Sequence, residues 1–600
     1  MSLADYAIVG NSRTSALISR SGSVDWLCLP RPDSPSIFGA ILDPTAGRLT
    51  VRPAGAFTSS RRYVPGTNVL ETTFRAPDGA VMLRDVMPVT SEEAKRRLLW
   101  PQHELLRQIT GLDGRVRLEV TYEPRASYGR TRAKLVDRGA LGIWAEDGRF
   151  MALLRGDCPL AVDADGAGAR GQMEVAAGET CYLSFSYGDD APAVTPALGE
   201  SANQRMEQSI AWWQEWSARC TYRGKHVEAV LRSLLVLKLL TYAPSGAVLA
   251  APTTSLPEDP GGVRNWDYRY CWLRDASLTI RALLSLGYQD EATAFSSWLL
   301  HTTRLTQPDL QIVYDVFGGT ELTETELPHL AGYAGSRPVR IGNGAHAQFQ
   351  LDVYGEVLDA VSGYLLTAGG RLDRDTKRML RGLGNTVCRR WTEPDEGIWE
   401  VRSGRAHHTY SKVMCWVALD RLIKLHEAGL IEAPVNRYRA VRDAIKGEIE
   451  TRGFDAGAGS YVRSFDGQEL DTSLLLLPIY GYCDGSSERM ASTIDRTLEG
   501  LGIGPFVYRY LGEDGLPGGE GAFGIACFWA VEALARAGQV DRARGMFDEL
   551  IAAGNDVGLY GEEFDPHTGE PLGNFPQAFT HVGLINAALT LERSEHVVAT

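Results

Sequence analysis

The spacing of apolar residues changes near residue 200 of the 600-residue chain, and this change limits the folds that the chain can adopt. Before this point the apolar segments are short and separated by turns, such as Pro77-Asp78-Gly79 between predicted strands at 68–74 and 81–86. Such segments predict an antiparallel β-sandwich. From about residue 225 onward, apolar residues recur at helical spacing in about twelve segments that are joined by Gly- and Pro-rich loops.

These patterns predict three regions. Residues 1–200 form the β-sandwich, 201–224 a helical linker, and 225–600 an all-α domain. Twelve helices of this length can pair into six hairpins and close as an inner and an outer ring. The predicted fold class is therefore a multidomain chain, in which an N-terminal antiparallel β-sandwich precedes an (α/α)6 barrel, the six-hairpin toroid.

Composition excludes several classes of protein. The hydrophobic content of 44% and charged content of 23% are typical of a folded globular protein. The net charge of −14 repels nucleic acid and anionic membranes, so neither is a predicted partner. Nine scattered cysteines without CxxC spacing, no apparent signal peptide and no long apolar span predict a cytoplasmic protein with free thiols.

Four loops of the helical region are rich in aromatic and charged residues. Sugars offer apolar faces on which aromatic rings pack, and hydroxyl groups that charged side chains bind. The first loop, residues 265–275, contains two Trp, two Tyr, two Arg and two Asp just before a predicted helix, which favours sugar binding. For Asp275 alone, capping of that helix is the simpler interpretation.

The second loop contains a candidate acid. Glu400 follows Trp399, and burial beside an aromatic ring raises the pKa of a carboxyl group, as a general acid requires. The residues leave a structural alternative open, in which Glu400 only pairs with Arg402 or Arg405.

The third and fourth loops supply further charged groups. Residues 508–523 contain Arg509 among glycines and could equally be an ordinary tight loop before a helix. In the fourth loop Glu562, Glu563 and Asp565 lie close together, and one of them could activate water. The residues alone do not choose among these three carboxylates.

Signals for other chemistries are absent from the sequence. It contains no GxxxxGK[ST], GxSxG or HExxH motif. The adjacent pair His407-His408 does not share a helix face. We therefore predict no metal site and no cofactor.

Taken in order, these loops resemble glycoside hydrolase family 15, which includes glucoamylases, glucodextranases and bacterial trehalases. The opening segment DYAIVGNSRTSALISRSGSVDWLCLPRPDSPSIFGAILD is similar to the N-terminal domain of the trehalase-like bacterial members. The helical part is similar at NWDYRYCWLRDAS, IGNGAHAQFQLDVYGEVLDA, GIWEVRSGRAHHTYSKVMCWVALDR and GEEFDPHTGEPLGNFPQAFTHVGLINAAL. The resemblance implies a six-hairpin barrel behind a β-sandwich, and hydrolysis with inversion at the anomeric carbon.

The resemblance also implies roles for individual residues. Glu400 matches the general acid and Glu562 the general base, with Glu563 as the less favoured base. In an inverting enzyme two such carboxyl groups lie about 6.5–9.5 Å apart, which leaves room for a water molecule. The residues implied to bind or enclose the sugar are Trp272, Arg274, Asp275, Trp399, Arg509 and Glu563.

One position departs from the starch-degrading members, which commonly carry a second Glu directly after the acid. Here that position is Val401, and no starch-binding module is apparent. We therefore expect an exo-acting, inverting hydrolase that releases β-glucose from a small α-glucoside, such as trehalose, isomaltose or a short maltooligosaccharide. The alternatives are a disaccharide phosphorylase of the same architecture and a noncatalytic sugar-binding protein. Formation of a homo-oligomer is left open, because it has no signature in the sequence.

Overall fold

The structure, a computed structural model, describes residues 2–97, 100–147, 151–188, 195, 197–369 and 372–598. An antiparallel sheet domain forms the N-terminal region, and an all-α barrel forms the rest. The predicted fold class is confirmed. Among the described residues, no helix is both long enough and apolar enough to cross a membrane.

The strands of the N-terminal domain pair in antiparallel fashion, and one long strand belongs to both layers of the sandwich. The strands are β1 Tyr6–Gly10, β2 Ser15–Ser19, β3 Ser23–Cys28, β4 Ser36–Phe38, β5 Arg48–Pro53, β6 Thr58–Tyr63, β7 Leu70–Ala76, β8 Gly79–Val86, β9 Glu104–Glu123, β10 Thr131–Arg132, β11 Lys134–Asp137, β12 Ile143–Glu146, β13 Met151–Gly156, β14 Leu160–Val162, β15 Ala169–Ala176 and β16 Thr180–Gly188. The first half of β9 pairs with β8 and β16, and its second half pairs with β5 and β15.

Aromatic side chains fill the space between the two layers. The rings of Phe38, Tyr122 and Phe185 pack with centroids 5.3–6.3 Å apart. In β7 and β8, Ala76 lies opposite Gly79, so Pro77 and Asp78 form a two-residue turn.

The helices begin with two short ones in the sheet domain and continue with a linker helix and the barrel. They are α1 Glu92–Lys95, α2 Ala126–Gly129, α3 Glu200–Ser217, α4 Val227–Leu240, α5 Ala276–Ser285, α6 Gln289–Thr306, α7 Asp352–Ala368, α8 Arg374–Arg390, α9 Thr409–Glu427, α10 Val435–Arg452, α11 Glu488–Leu501, α12 Gly524–Arg536, α13 Val540–Ala552 and α14 Ala578–Val598. The linker helix α3 contacts both domains: Arg205 pairs with Glu104 of the sheet domain at 3.0 Å, and Trp216 donates a 2.6 Å hydrogen bond to Glu291 of the barrel.

Six helical elements form the inner ring of the barrel. Going round the ring, α5, α7, α9, the 3₁₀ helix Thr472–Leu476, α12 and α14 contact one another and close on α5. The outer helices α4, α6, α8, α10, α11 and α13 pack against this ring. Residues 471–479 are one of the twelve segments with helical spacing of apolar residues, but they form this 3₁₀ helix in place of an α-helix. Pro478 lacks the N–H that an α-helix would need at that position, which favours a short, tighter turn.

Short strand pairs fix the loops at one end of the barrel. They are β17 Cys271–Trp272 with β18 Val313–Tyr314, β19 Thr325–Glu326 with β20 Arg340–Ile341, β21 Phe454–Asp455 with β22 Ser460–Tyr461, β23 Gly502–Ile503 with β24 Phe506–Val507, and the three strands β25 Ala522–Phe523, β26 Glu563–Phe564 and β27 Pro571–Leu572.

Candidate active site

A cavity of about 680 Å³ lies at one end of the inner ring. Its charged lining residues are Glu258, Arg264, Arg274, Glu400, Arg402, Arg509, Asp514 and Glu562. Its aromatic and amide lining residues are Trp266, Tyr268, Asn343, Gln348, Trp399, Tyr510, Phe523 and Gln577.

The amino-terminal ends of the inner helices surround this cavity. Arg274 and Gln348 precede α5 and α7, and Phe523 and Gln577 directly precede α12 and α14. The positive ends of these helix dipoles therefore lie next to the cavity, where they stabilise anionic groups.

Glu400 is fixed by two donors from the first aromatic loop. Its Oε1 accepts a hydrogen bond of 2.6 Å from Nε1 of Trp272 and one of 3.3 Å from Nη1 of Arg274. Burial raises the pKa of the Glu400 carboxyl group, although both donors act in the opposite direction. Its φ of 59° is strained for a residue with a side chain, at a cost of order 1–3 kcal/mol.

The structural alternative for Glu400 is wrong. Arg402 pairs with Glu324 at 3.2 Å, and Arg405 pairs with Glu396 at 2.9 Å. Neither arginine therefore pairs with Glu400, which lines the cavity.

Glu562 and Glu563 point in different directions, as neighbours in a strand-like segment do. Glu562 lines the cavity, and its Oε1 has no hydrogen-bond partner among the described residues. Burial raises its pKa to about 7, and the charge of Arg509 opposes this shift. Glu563 lies behind the lining, where its Oε2 accepts a 2.6 Å hydrogen bond from the backbone N–H of Gly521.

Arg509 lies among three buried or half-buried acids. It pairs with Glu520, and its Nη2 lies 3.5 Å from Glu258 and 3.7 Å from Glu563. The carboxylate oxygens of these three acids approach within 4.8 Å of one another, and a guanidinium group already contacts all three. Arg509 lines the cavity, but ion pairs occupy much of its donor capacity.

Glu258 is a site residue that sequence reasoning missed. Its carboxyl group is buried, neither oxygen has a hydrogen-bond partner among the described residues, and burial raises its pKa to about 8. It comes from the segment SLPEDPGG, where a Glu between two prolines is the only signal that the sequence offers.

Not every side chain of the first aromatic loop faces the cavity, so sugar binding along its whole length was too broad a prediction. Arg269 turns away from the cavity and donates to Ser34 O at 2.8 Å and to the Tyr128 hydroxyl at 3.0 Å, both in the sheet domain. Asp267 pairs with this buried arginine. Trp266, Tyr268 and Arg274 of the same loop line the cavity.

At the end of this loop, Arg274 lines the cavity while Trp272 and Asp275 lie behind the lining. Trp272 was expected to wall the pocket and instead holds Glu400. Asp275 occupies the position before α5, but its side chain does not cap the helix. It accepts a 2.9 Å hydrogen bond from Nε of Arg274, which fixes that guanidinium group.

Comparisons with known proteins agree with this architecture. The family model described as "Glycosyl hydrolases family 15" matches residues 224–589, and "Trehalase-like, N-terminal" matches residues 2–213. A trehalase of Mycolicibacterium smegmatis is 39% identical over 99% of this chain and 92% of its own length. A trehalase of Mycobacterium tuberculosis is 37% identical over 99% and 90%, and one of Thermoplasma volcanium is 32% identical over 98% and 93%.

A solved bacterial glucoamylase in complex with acarbose shares the fold. Its TM-score is 0.75, at 13% sequence identity, over 99% of this chain and 94% of that one. The family model and the relatives that align with nearly all of this chain place it among the glycoside hydrolases. The chain belongs to glycosyl hydrolase family 15, and the predicted resemblance and enzyme class are confirmed. The noncatalytic alternative is set aside.

Proposed function

We propose that this protein is an inverting, exo-acting α-glucoside hydrolase and that trehalose is its substrate. One observation carries the mechanism: Glu400 and Glu562, which come from separate loops, line the same cavity, and burial raises the pKa of both. The choice of substrate is supported by relatives named trehalase that align with nearly all of this chain.

Glu400 serves as the general acid. Burial raises its pKa and so favours the protonated carboxyl group, which can donate a proton to the oxygen between the two sugars. Arg274, which Asp275 fixes, and Trp399 hold the glucose whose bond is broken.

Glu562 serves as the general base rather than Glu563, because only Glu562 lines the cavity. It removes a proton from a water molecule, whose oxygen attacks the anomeric carbon from the face opposite the leaving sugar. One water is consumed for each bond broken, and the attacked glucose leaves as the β-anomer. The leaving sugar keeps its configuration.

The anomers of the products test this mechanism. With α,α-trehalose, proton NMR recorded within the first minutes should show equal amounts of α- and β-glucose, because only one of the two anomeric carbons is attacked. Two equivalents of α-glucose would indicate retention and contradict the proposal. Glucose 1-phosphate formed in phosphate buffer would support the phosphorylase alternative instead.

Substitutions test the two carboxyl groups. Glu400→Gln and Glu562→Gln should each lower kcat by at least about 10³-fold with an unchanged melting temperature. Glu563→Gln is the matched control for the base and should retain far more activity. Azide added to Glu562→Ala should restore turnover and yield β-glucosyl azide, whereas rescue of Glu563→Ala alone would move the base to the other residue.

A further inference from the structure

We propose that Arg402 is a specificity-determining residue, which binds the hydroxyl groups of the leaving sugar. Glu324 and Trp266 hold its guanidinium group at the mouth of the cavity. This inference rests on the proposed function, because it assumes that the substrate consists of two linked sugars.

Exposure distinguishes the two ends of the cavity. The side chains of Arg274 and Arg509 are 14% and 9% exposed, and Glu562 is 1% exposed, whereas the side chain of Arg402 is 38% exposed. An exo-acting enzyme places the terminal sugar at the closed end. The leaving sugar must then lie toward the open end, where Arg402 is.

An ion pair with Glu324 fixes the guanidinium group of Arg402 above an aromatic ring. Its Cζ lies 4.5 Å from the ring centroid of Trp266, and that of Arg340 lies 4.7 Å from the same centroid. Glu324 bridges the two arginines, at 3.2 Å from Arg402 and 3.5 Å from Arg340. Because an ion pair and an indole ring already hold this guanidinium group, it loses little further conformational freedom when it binds a ligand.

The backbone of Arg402 is fixed from the other side by the loop that follows Tyr510. The N–H of Arg402 donates a 2.9 Å hydrogen bond to the carbonyl of Asp514. The Asp514 carboxylate is held by Arg264 at 2.7 and 3.0 Å and by the Tyr510 hydroxyl at 2.9 Å. Both the backbone and the side chain of Arg402 are therefore positioned before a substrate arrives.

The guanidinium group of Arg402 can donate hydrogen bonds to the hydroxyl groups of an unmodified sugar. Glu324 is the one acid that pairs with Arg402 among the described residues, and this pair occupies only Nη2. The pair leaves Nε and Nη1 free of Glu324, and Arg402 itself lines the cavity. A planar fork of donors can bind two neighbouring hydroxyl oxygens of one sugar.

The test compares one substrate that has a leaving sugar with one that has none. Arg402→Met keeps the length of the side chain and removes the donors. It should lower kcat/KM for trehalose roughly 10- to 100-fold, as expected for lost hydrogen bonds to a charged group. It should change kcat/KM for α-glucosyl fluoride, which fills only the closed end, less than about threefold. Arg405→Met is the matched control, because Arg405 does not line the cavity; it should leave both values unchanged.

The outcomes separate this inference from the proposed function. Equal losses for both substrates, or no loss for trehalose, would overturn the role of Arg402 and leave trehalose hydrolysis intact. If the wild-type enzyme does not hydrolyse trehalose, the same comparison is made with the α-linked glucose disaccharide that it hydrolyses fastest. A selective loss there would support Arg402 although the proposed substrate had failed. Unchanged melting temperatures of both variants establish that the effect is not one of folding.

Discussion

Nε1 of Trp272 donates a 2.6 Å hydrogen bond to Oε1 of Glu400. The two residues come from different loops of the barrel, so this bond depends on the closed inner ring. A donor at this distance stabilises the ionised carboxylate, while burial stabilises the neutral acid. The pKa of the proposed acid therefore depends on the balance between burial, which raises it, and Arg274 and Trp272, which lower it.

Trp272→Phe shifts this balance in a known direction. Without the donor the ionised form loses stabilisation, so the pKa of Glu400 rises further. A general acid works while protonated, so the basic limb of the kcat/KM profile should move to higher pH by about 0.5–1 unit. A pH series on both proteins checks this. A limb that stays in place, or moves to lower pH, would show that another group determines it.

Glu258 makes stability depend on pH. Burial raises its pKa from 4.5 to about 8, so between these values the folded state binds more protons than the unfolded state. Stability from this group is fully present below pH 4.5 and is lost as pH rises toward 8. Glutamine at this position does not titrate, so at pH 8 the free energy of unfolding of Glu258→Gln should exceed that of the wild type by at least about 1 kcal/mol. This difference is measured as a higher melting temperature.

The same two proteins compared at pH 4.5 provide the control. There Glu258 is protonated in the folded state and about half protonated in the unfolded state, so nearly all of the advantage of the variant should disappear. An advantage of equal size at both pH values would mean that improved packing, and not ionisation, is the cause.

Gly515 allows its loop to contact Arg402 closely. Its φ is +84°, and an added Cβ would lie 2.8 Å from the carbonyl carbon of Arg402. Gly515→Ala should move the loop away and lower kcat/KM for the disaccharide about tenfold. Gly504→Ala is the control, because Gly504 also has a positive φ (+58°) but no atom lies within 4 Å of the new Cβ. Equal kinetic effects of the two variants would contradict a role for the close contact.

Arg269 joins the aromatic loop to the sheet domain. Arg269→Met leaves Asp267 buried without its cation, which should reduce the free energy of unfolding by roughly 3–5 kcal/mol. Urea denaturation measures this loss. In the double variant with Asp267→Asn, much of it should be recovered, because no uncompensated charge remains. A double variant as unstable as the single one would assign the loss to the contacts with Ser34 and Tyr128 instead.

Turns and helices of this chain could be predicted from the sequence where a few neighbouring residues determine them. The turn at Pro77-Asp78 and the helical spacing beyond residue 225 depend on a few consecutive positions, and both appear in the structure. The segment 471–479 was assigned the wrong helix type, because proline at 478 outweighed its apolar pattern.

Within the candidate site, the sequence by itself determined which loops carry the aromatic and acidic residues. Only the tertiary structure decided where each side chain points: Trp272 toward Glu400, Arg269 toward the other domain, and Glu258 into the cavity. The physical reason is that composition and spacing are properties of neighbouring residues, whereas burial and ion pairing arise between residues that the closed ring brings together. The pKa of a carboxyl group depends on that surrounding charge and solvent, which no short segment of sequence contains.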